Sequence, residues 1–298
     1  MTNITGIVKQ SDHETIPPPP GCASGYIQTN GIRLHYVEAG NGPLVVLLHG
    51  FPEFWYSWRA QLPALAQRYH VVAPDLRGYN RSDKPESGYD VATLSADIAG
   101  LIETFGEREA AIVGHDWGGA LAWSFAILYP DYTRRLAILN APHPGVAVRE
   151  ARNPRQMARS WYVGFFQLRG LAERAITRND YSMIWRTFRS ADREHAWLTD
   201  LDIQRYVDAI SRPGALTAAL AYYRQLPRGS FLRLSPMRTI TGPTLVLWGE
   251  QDPYLGVELL DGLNQWVHDL RIERFPGAGH WLNQQEPKAV NDALLAFL

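Results

Sequence analysis

The sequence predicts an α/β protein: a mostly parallel, twisted sheet flanked by helices, with an inserted all-helical segment. From Tyr26 onward, short apolar runs alternate with stretches of helical period, the pattern of strands joined by crossover helices. The run LVVLLH at 44–49 is apolar almost throughout, as suits a strand covered on both faces. Between about Pro144 and Pro236 the strand runs stop, and they resume afterwards. A chain of 298 residues, 46% of them apolar, can bury one large core and carry such an insertion.

Taken in order, residues 1–25 hold few large apolar side chains and the four prolines Pro17 to Pro20. Consecutive prolines favour a stiff, extended polyproline II segment, read here as an arm laid on the domain, or as a ligand for a proline-binding domain. YIQTN and IRLHYVEA read as a hairpin turning at Asn30 and Gly31. After LVVLLH come a helix over FWYSWRAQLPALAQRY, a strand at HVVAPD, a helix over VATLSADIAGLIETFG and a strand at AAIVG. ALAWSFAILY then reads as a helix and RLAILN as a strand. The late segment repeats the alternation with PTLVLWG, VELLDGLNQWV, LRIERF and AVNDALLAFL. The predicted organisation is an arm at 1–25, core at 26–143, a helical insertion at 144–236 and core again at 237–298.

Composition excludes several classes of function. Acids and bases nearly cancel, at a formal net charge of −1, so no global field holds a nucleic acid or an anionic membrane. One cysteine, Cys22, cannot form an internal disulfide, and no segment reads as a signal peptide or a membrane-spanning helix. A cytoplasmic setting is the expectation. Ten arginines against four acids lie between Arg149 and Arg193, read as a solvated helical surface, with steering of acidic substrates as the alternative. No His, Cys and carboxylate cluster has metal-ligand spacing, and GHDWGG lacks the lysine and spacing of a phosphate-binding loop. No cofactor and no metal are expected.

The chemistry concentrates at AAIVGHDWGGALAWSFA, residues 110–126. A strand, a tight turn and a helix with small residues around a central position have the layout of a nucleophile elbow. Strand and helix pass so closely there that bulk is excluded, and the central side chain is held exposed in strained geometry. Asp116 occupies that position. The loop His49-Gly50-Phe51-Pro52 follows the first buried strand, where the Phe51 amide can form an oxyanion hole with the amide of Trp117. Asp252 follows the strand of LVLWGEQDPY and His280 follows the next, in FPGAGHW. The order nucleophile, acid, histidine, each past a strand, places all three at the carboxyl edge of a parallel sheet.

These segments resemble the α/β-hydrolase family and, within it, the epoxide hydrolases. The resemblance rests on HGFPEFWYSW from His49, DLRGYNRSDKP from Asp75, GHDWGG from Gly114, GEQDPY from Gly249 and GAGHW from Gly277, and covers almost everything after Tyr26. It implies a helical cap inserted between two core strands, in the region already set apart by composition. It also implies two cap tyrosines that serve an epoxide oxygen. WYVGFFQLRG supplies Tyr162 ahead of Phe166 and Gln167, and LAYYRQLP supplies Tyr223 ahead of Arg224, with Tyr222 in reserve if the register is shifted by one.

Aspartate at the elbow selects saturated carbon. A serine attacking such a carbon would leave an ether with no hydrolytic exit, whereas a carboxylate forms an ester that water can cleave. His280, oriented by Asp252, is then the base for that water. The expected partners are a small epoxide and water, with homodimerisation left open. The competing readings are a haloalkane or haloacetate dehalogenase with the same nucleophile, and a hydrolase-fold protein that only binds. The halide asparagine usual in the loop after the first strand is absent, since Phe51 stands there, and the nucleophile is followed by Trp117 where fluoroacetate dehalogenases have arginine. His115 and His49 are expected to support the elbow and its neighbouring loop, and Asp75 and Arg77 to fix loops.

Overall fold

The structure is a computed structural model that describes residues 16–192, 197–229, 231 and 238–298. Strands β1 (Cys22–Thr29) and β2 (Ile32–Ala39) form the expected hairpin. Its turn residues Asn30 and Gly31 sit at φ 45° and 76°, a conformation that Asn-Gly adopts with little penalty. The remaining strands are β3 (Leu44–Leu48), β4 (His70–Pro74), β5 (Ala110–His115), β6 (Thr133–Leu139), β7 (Thr244–Gly249) and β8 (Leu270–Phe275).

They make one sheet in the order β1-β2-β4-β3-β5-β6-β7-β8. β2 runs antiparallel to β1 and β4, and every later pairing is parallel. β3, β5 and β7 are buried along their whole length, which is why their sequences are apolar runs without alternation. All parallel strands point their carboxyl ends to one edge, where loops of function gather in open sheets of this kind.

The helices of the core are α1 (Gln61–Leu65), α2 (Val91–Thr104) and α3 (Trp117–Leu128), followed at the end of the chain by α10 (Leu282–Gln285) and α11 (Pro287–Phe297). Between β6 and β7 the named elements among the described residues are all helices: α4 (Pro144–Glu150), α5 (Pro154–Arg159), α6 (Trp161–Phe165), α7 (Leu171–Ala191), α8 (Asp200–Ser211) and α9 (Ala215–Gln225). α7 is interrupted at Arg178–Tyr181, where the backbone leaves helical geometry. The expected end of the insertion at 236, and most of the arm, lie outside the described residues.

Three expectations need correction. β1 starts at Cys22, inside the segment read as an arm, because Cys22 to Gly25 pair with Tyr36 to Ala39. The helix expected over 54–69 is a 3-10 turn at Trp55–Trp58 followed by the short α1. Pro63 has no N–H to donate, so it is tolerated in the first turn of a helix and not inside a longer one. The helix expected over VELLDGLNQWV is two 3-10 turns, Val257–Leu260 and Leu263–Gln265, separated by Gly262 at φ 72°.

Candidate active site

The elbow is present at the join of β5 and α3. Asp116 has φ 52° and ψ −118°, a conformation that costs a non-glycine residue of order 1–3 kcal/mol and persists only where its surroundings impose it. The neighbours are small because nothing larger fits. A Cβ on Gly118 would overlap the Leu48 carbonyl, one on Gly114 the Gly118 carbonyl, and one on Gly50 would lie 2.5 Å from Asp116 Cβ. The tight crossing of β5 and α3 over the end of β3 is therefore written in three glycines.

Asp116 Oδ1 accepts a 2.8 Å hydrogen bond from the Phe51 amide. Trp117 opens α3, so its amide has no partner within the helix. Asp116 Oδ2 lies 3.4 Å from His280 Nε2, and His280 Nδ1 lies 2.6 Å from Asp252 Oδ2. His280 therefore stands between two carboxylates. Burial alone would lower its pKa, but Asp252 and Asp116 outweigh burial and push it up to about 10. Burial likewise would raise Asp116, yet the hydrogen bond and charge of His280, with the Phe51 amide, hold it below the usual aspartate range.

Asp252 is fixed on all sides. Its Oδ1 accepts the amides of Tyr254 (2.7 Å) and Leu255 (2.9 Å), and its Oδ2 accepts Asn140 Nδ2 at 2.8 Å. Asn140 also bonds both the carbonyl and the amide of Gly249, at 3.1 and 2.9 Å. It clamps the end of β6 to the end of β7 while holding the acid. Sequence reading gave Asn140 no role. The available signal was an asparagine directly after a buried strand, where φ is 40° and asparagine is among the few residues that tolerate it.

A second layer holds the elbow from behind. His115 is fully buried, with Nδ1 2.9 Å from Glu53 Oε2 and Nε2 2.8 Å from the His280 carbonyl. Glu53 also accepts the Gly50 amide (3.1 Å) and Gln284 Nε2 (2.8 Å). His49 donates from Nδ1 to the Gly50 carbonyl and accepts the Leu76 amide at Nε2, the tautomer its partners require. Asp75 accepts from His35 and from the Trp55 amide, and Arg77 makes a two-pronged pair with Asp97 at 2.7 and 2.6 Å. These are the supporting positions expected of His115, His49, Asp75 and Arg77. Glu53, Asn140 and Gln284 complete that support without having been singled out.

The cap closes the site. Phe51, Asp116, Tyr162, Phe166, Tyr223 and His280 line one cavity, of about 230 Å³. A second, of about 520 Å³, shares Asp116, Trp161, Tyr162 and Tyr223 and continues past Trp117 and Leu255. Asp116 and the two tyrosines thus stand where the lobes meet. The Tyr162 and Tyr223 rings are 5.9 Å apart in an edge contact. Burial, with the nearby Asp116 charge, pushes both phenols well above their ordinary value, so both are donors at neutral pH. Tyr222 points elsewhere: its hydroxyl donates to the Arg77 carbonyl at 2.8 Å and its ring packs on Tyr79 and Tyr89. Tyr254, outside the expected set, lines the first lobe and packs on His280 and Tyr162.

Among the described residues no cluster of three or more His, Cys, Asp and Glu could hold a metal ion, and no helix is long and apolar enough to cross a membrane.

Comparison with known proteins agrees with this geometry. A family model described as the alpha/beta hydrolase fold matches residues 43–287. The chain is 40% identical over 284 residues to the AB hydrolase superfamily protein YfhM of Bacillus subtilis, covering 93% of this chain and 98% of that one. It is 39% identical over 284 residues to epoxide hydrolase 4 of Mus musculus, covering 91% and 78%. A crystal structure of an epoxide hydrolase from Bacillus megaterium in complex with an inhibitor superposes with a TM-score of 0.86 at 34% identity, over 92% of this chain and 99% of that one.

Proposed function

The chain belongs to the alpha/beta hydrolase fold family, and from that premise we propose that it hydrolyses epoxides to vicinal diols through a covalent ester on Asp116. The observation that carries this reading is the meeting of Tyr162 and Tyr223 with Asp116 in one cavity: a carboxylate nucleophile facing two protonated hydroxyls suits a strained ring that opens to an alkoxide. The epoxide hydrolases among its relatives support the same substrate class.

In the proposed reaction, Asp116 Oδ1 stays on the Phe51 amide and Oδ2 attacks an epoxide carbon. The carbon–oxygen bond of the ring breaks, and the departing oxygen takes up hydrogen bonds, then a proton, from Tyr162 and Tyr223. Esterification removes the negative charge of Asp116, one of the two charges that keep His280 protonated. Its pKa then falls, its proton passes through solvent to the tyrosinate that ring opening leaves, and the neutral imidazole becomes a base only after the ester exists. Water loses a proton to Nε2 and adds to Asp116 Cγ. The amides of Phe51 and Trp117 hold the resulting oxyanion, where one lost donor typically costs about 10²–10³ in rate. Collapse releases the diol and restores the carboxylate.

The lining supports a neutral, apolar substrate. Apart from Asp116 and His280, its side chains are aromatic, aliphatic or uncharged polar. The haloalkane reading finds less support. The Trp117 indole, which could hold a halide, is packed edge-on against the rings of Tyr223 at 4.8 Å and Phe231 at 5.1 Å.

The test is turnover of simple aromatic and aliphatic epoxides beside bromoalkanes of matching size. Epoxides are expected to turn over, bromoalkanes not. Tyr162→Phe with Tyr223→Phe is expected to lower epoxide turnover by about 10²–10⁴, the range of general acid catalysis, while Tyr222→Phe leaves the chemical step unchanged. Full activity in the Tyr162→Phe/Tyr223→Phe variant would remove the basis of the reading.

A further inference from the structure

We propose that the cap face around the cavity mouth docks on an anionic lipid bilayer. Four large apolar side chains stand out there: Met157 (58% exposed), Trp161 (66%), Leu168 (49%) and Leu171 (55%). Trp161 and the partly buried Phe165, four residues apart, share a face of α6, and Leu168 follows in the turn beyond the helix, its amide bonded to the Phe165 carbonyl. Met157 and Trp161 also line the second lobe of the cavity, so the exposed stripe borders the way in.

Charge chooses the occupant. From Glu150 to Arg178 the only acids are Glu150 and Glu173, and each is taken up by an arginine, Arg149 and Arg224 respectively. Arg159 pairs with Glu258. Arg152, Arg155, Arg169, Arg174 and Arg178 make no ion pair with any carboxylate among the described residues, and all are exposed. Asp180 is the first carboxylate beyond them without such a partner. The near-zero net charge of the chain therefore hides a local positive field around an apolar stripe. Apolar insertion and attraction to anionic headgroups are the two signals that hold a protein reversibly at a bilayer surface, with tryptophan favoured at the interface. A second copy of the chain would bring five like charges against five more, which disfavours a two-fold contact through this face. On the epoxide reading above, docking sets the mouth against the phase in which apolar epoxides dissolve. The docking itself does not depend on that reading.

Binding is measured without substrate, by flotation with vesicles of phosphatidylcholine alone and with about 30% phosphatidylglycerol. The anionic vesicles are expected to bind at least about ten-fold tighter than the neutral ones, with binding lost at about 0.5 M salt. Arg169→Glu with Arg174→Glu, and separately Leu168→Ser with Leu171→Ser, are each expected to weaken binding about ten-fold or more. Both variants should keep the melting temperature and the turnover of a water-soluble epoxide. Equal affinity for the two vesicle types, or variants that bind as the parent does, overturns the proposal. So does an absence of vesicle binding accompanied by self-association that Leu168→Ser/Leu171→Ser abolishes, which would assign the face to a second copy.

Discussion

At the scale of single residues the site is governed by where its charges stand. His280 is held between Asp116 and Asp252 at 3.4 and 2.6 Å, and its pKa is pushed from 6.5 to about 10. A group whose pKa is raised by folding adds stability that is complete below its unfolded value and disappears as pH climbs through the folded one. The melting temperature is therefore expected to fall between pH 6.5 and about 10, and His280→Gln is expected to lose that part of the decline. An unchanged slope in the variant would place the titrating group elsewhere. In the proposed reaction the same residue separates the two chemical steps. His280→Gln should still form the ester but not cleave it, so a mass increase equal to that of the epoxide should persist on the protein. A variant that turns over without accumulating such a species contradicts the role of His280 as the base.

At the scale of elements, the ends of β3, β5, β7 and β8 bring together residues more than two hundred positions apart in the chain. This much was legible, because buried strand runs and the residues just past them are local features of the text. Helix lengths were less legible: Pro63 and Gly262 cut short two stretches whose apolar spacing alone read as helix. The register of α9 was ambiguous by one residue. It resolves through packing, since Tyr222 is drawn to the Arg77 carbonyl and Tyr223 is left to the cavity. Contacts between distant strands were not legible at all, and Asn140 is the clearest example. It is fully buried and bonds the acid loop at three points. Asn140→Ala leaves the Gly249 amide without its partner, and is expected to cost about 1–3 kcal/mol of stability. Urea unfolding measures it, and a loss well below that range means water or a local shift replaces the clamp. Because Asp252 also loses a ligand, turnover should fall more than substrate binding.

At the scale of the whole molecule, the core carries Asp116, Asp252 and His280, and the insertion between β6 and β7 carries Tyr162 and Tyr223 and roofs the cavity. Composition alone set that insertion apart, as a stretch without strand runs. Its arginine excess fits the expected solvated helical surface, and Trp161, Leu168 and Leu171 are exposed in the same stretch of chain. The cavity could not be read from the text, because its walls come from α6, α7 and α9 folding back over the carboxyl edge of the sheet. The proposed division of labour, a nucleophile below and proton donors above, has one direct test: a single turnover in oxygen-18 water with enzyme in excess over epoxide. If water attacks an ester of Asp116, the first label enters the Asp116 carboxylate, found by peptide mass spectrometry, and the diol from that turnover is unlabelled. Label appearing in the diol in the first turnover, with Asp116 unlabelled, would mean that water opens the epoxide directly and would contradict the covalent mechanism.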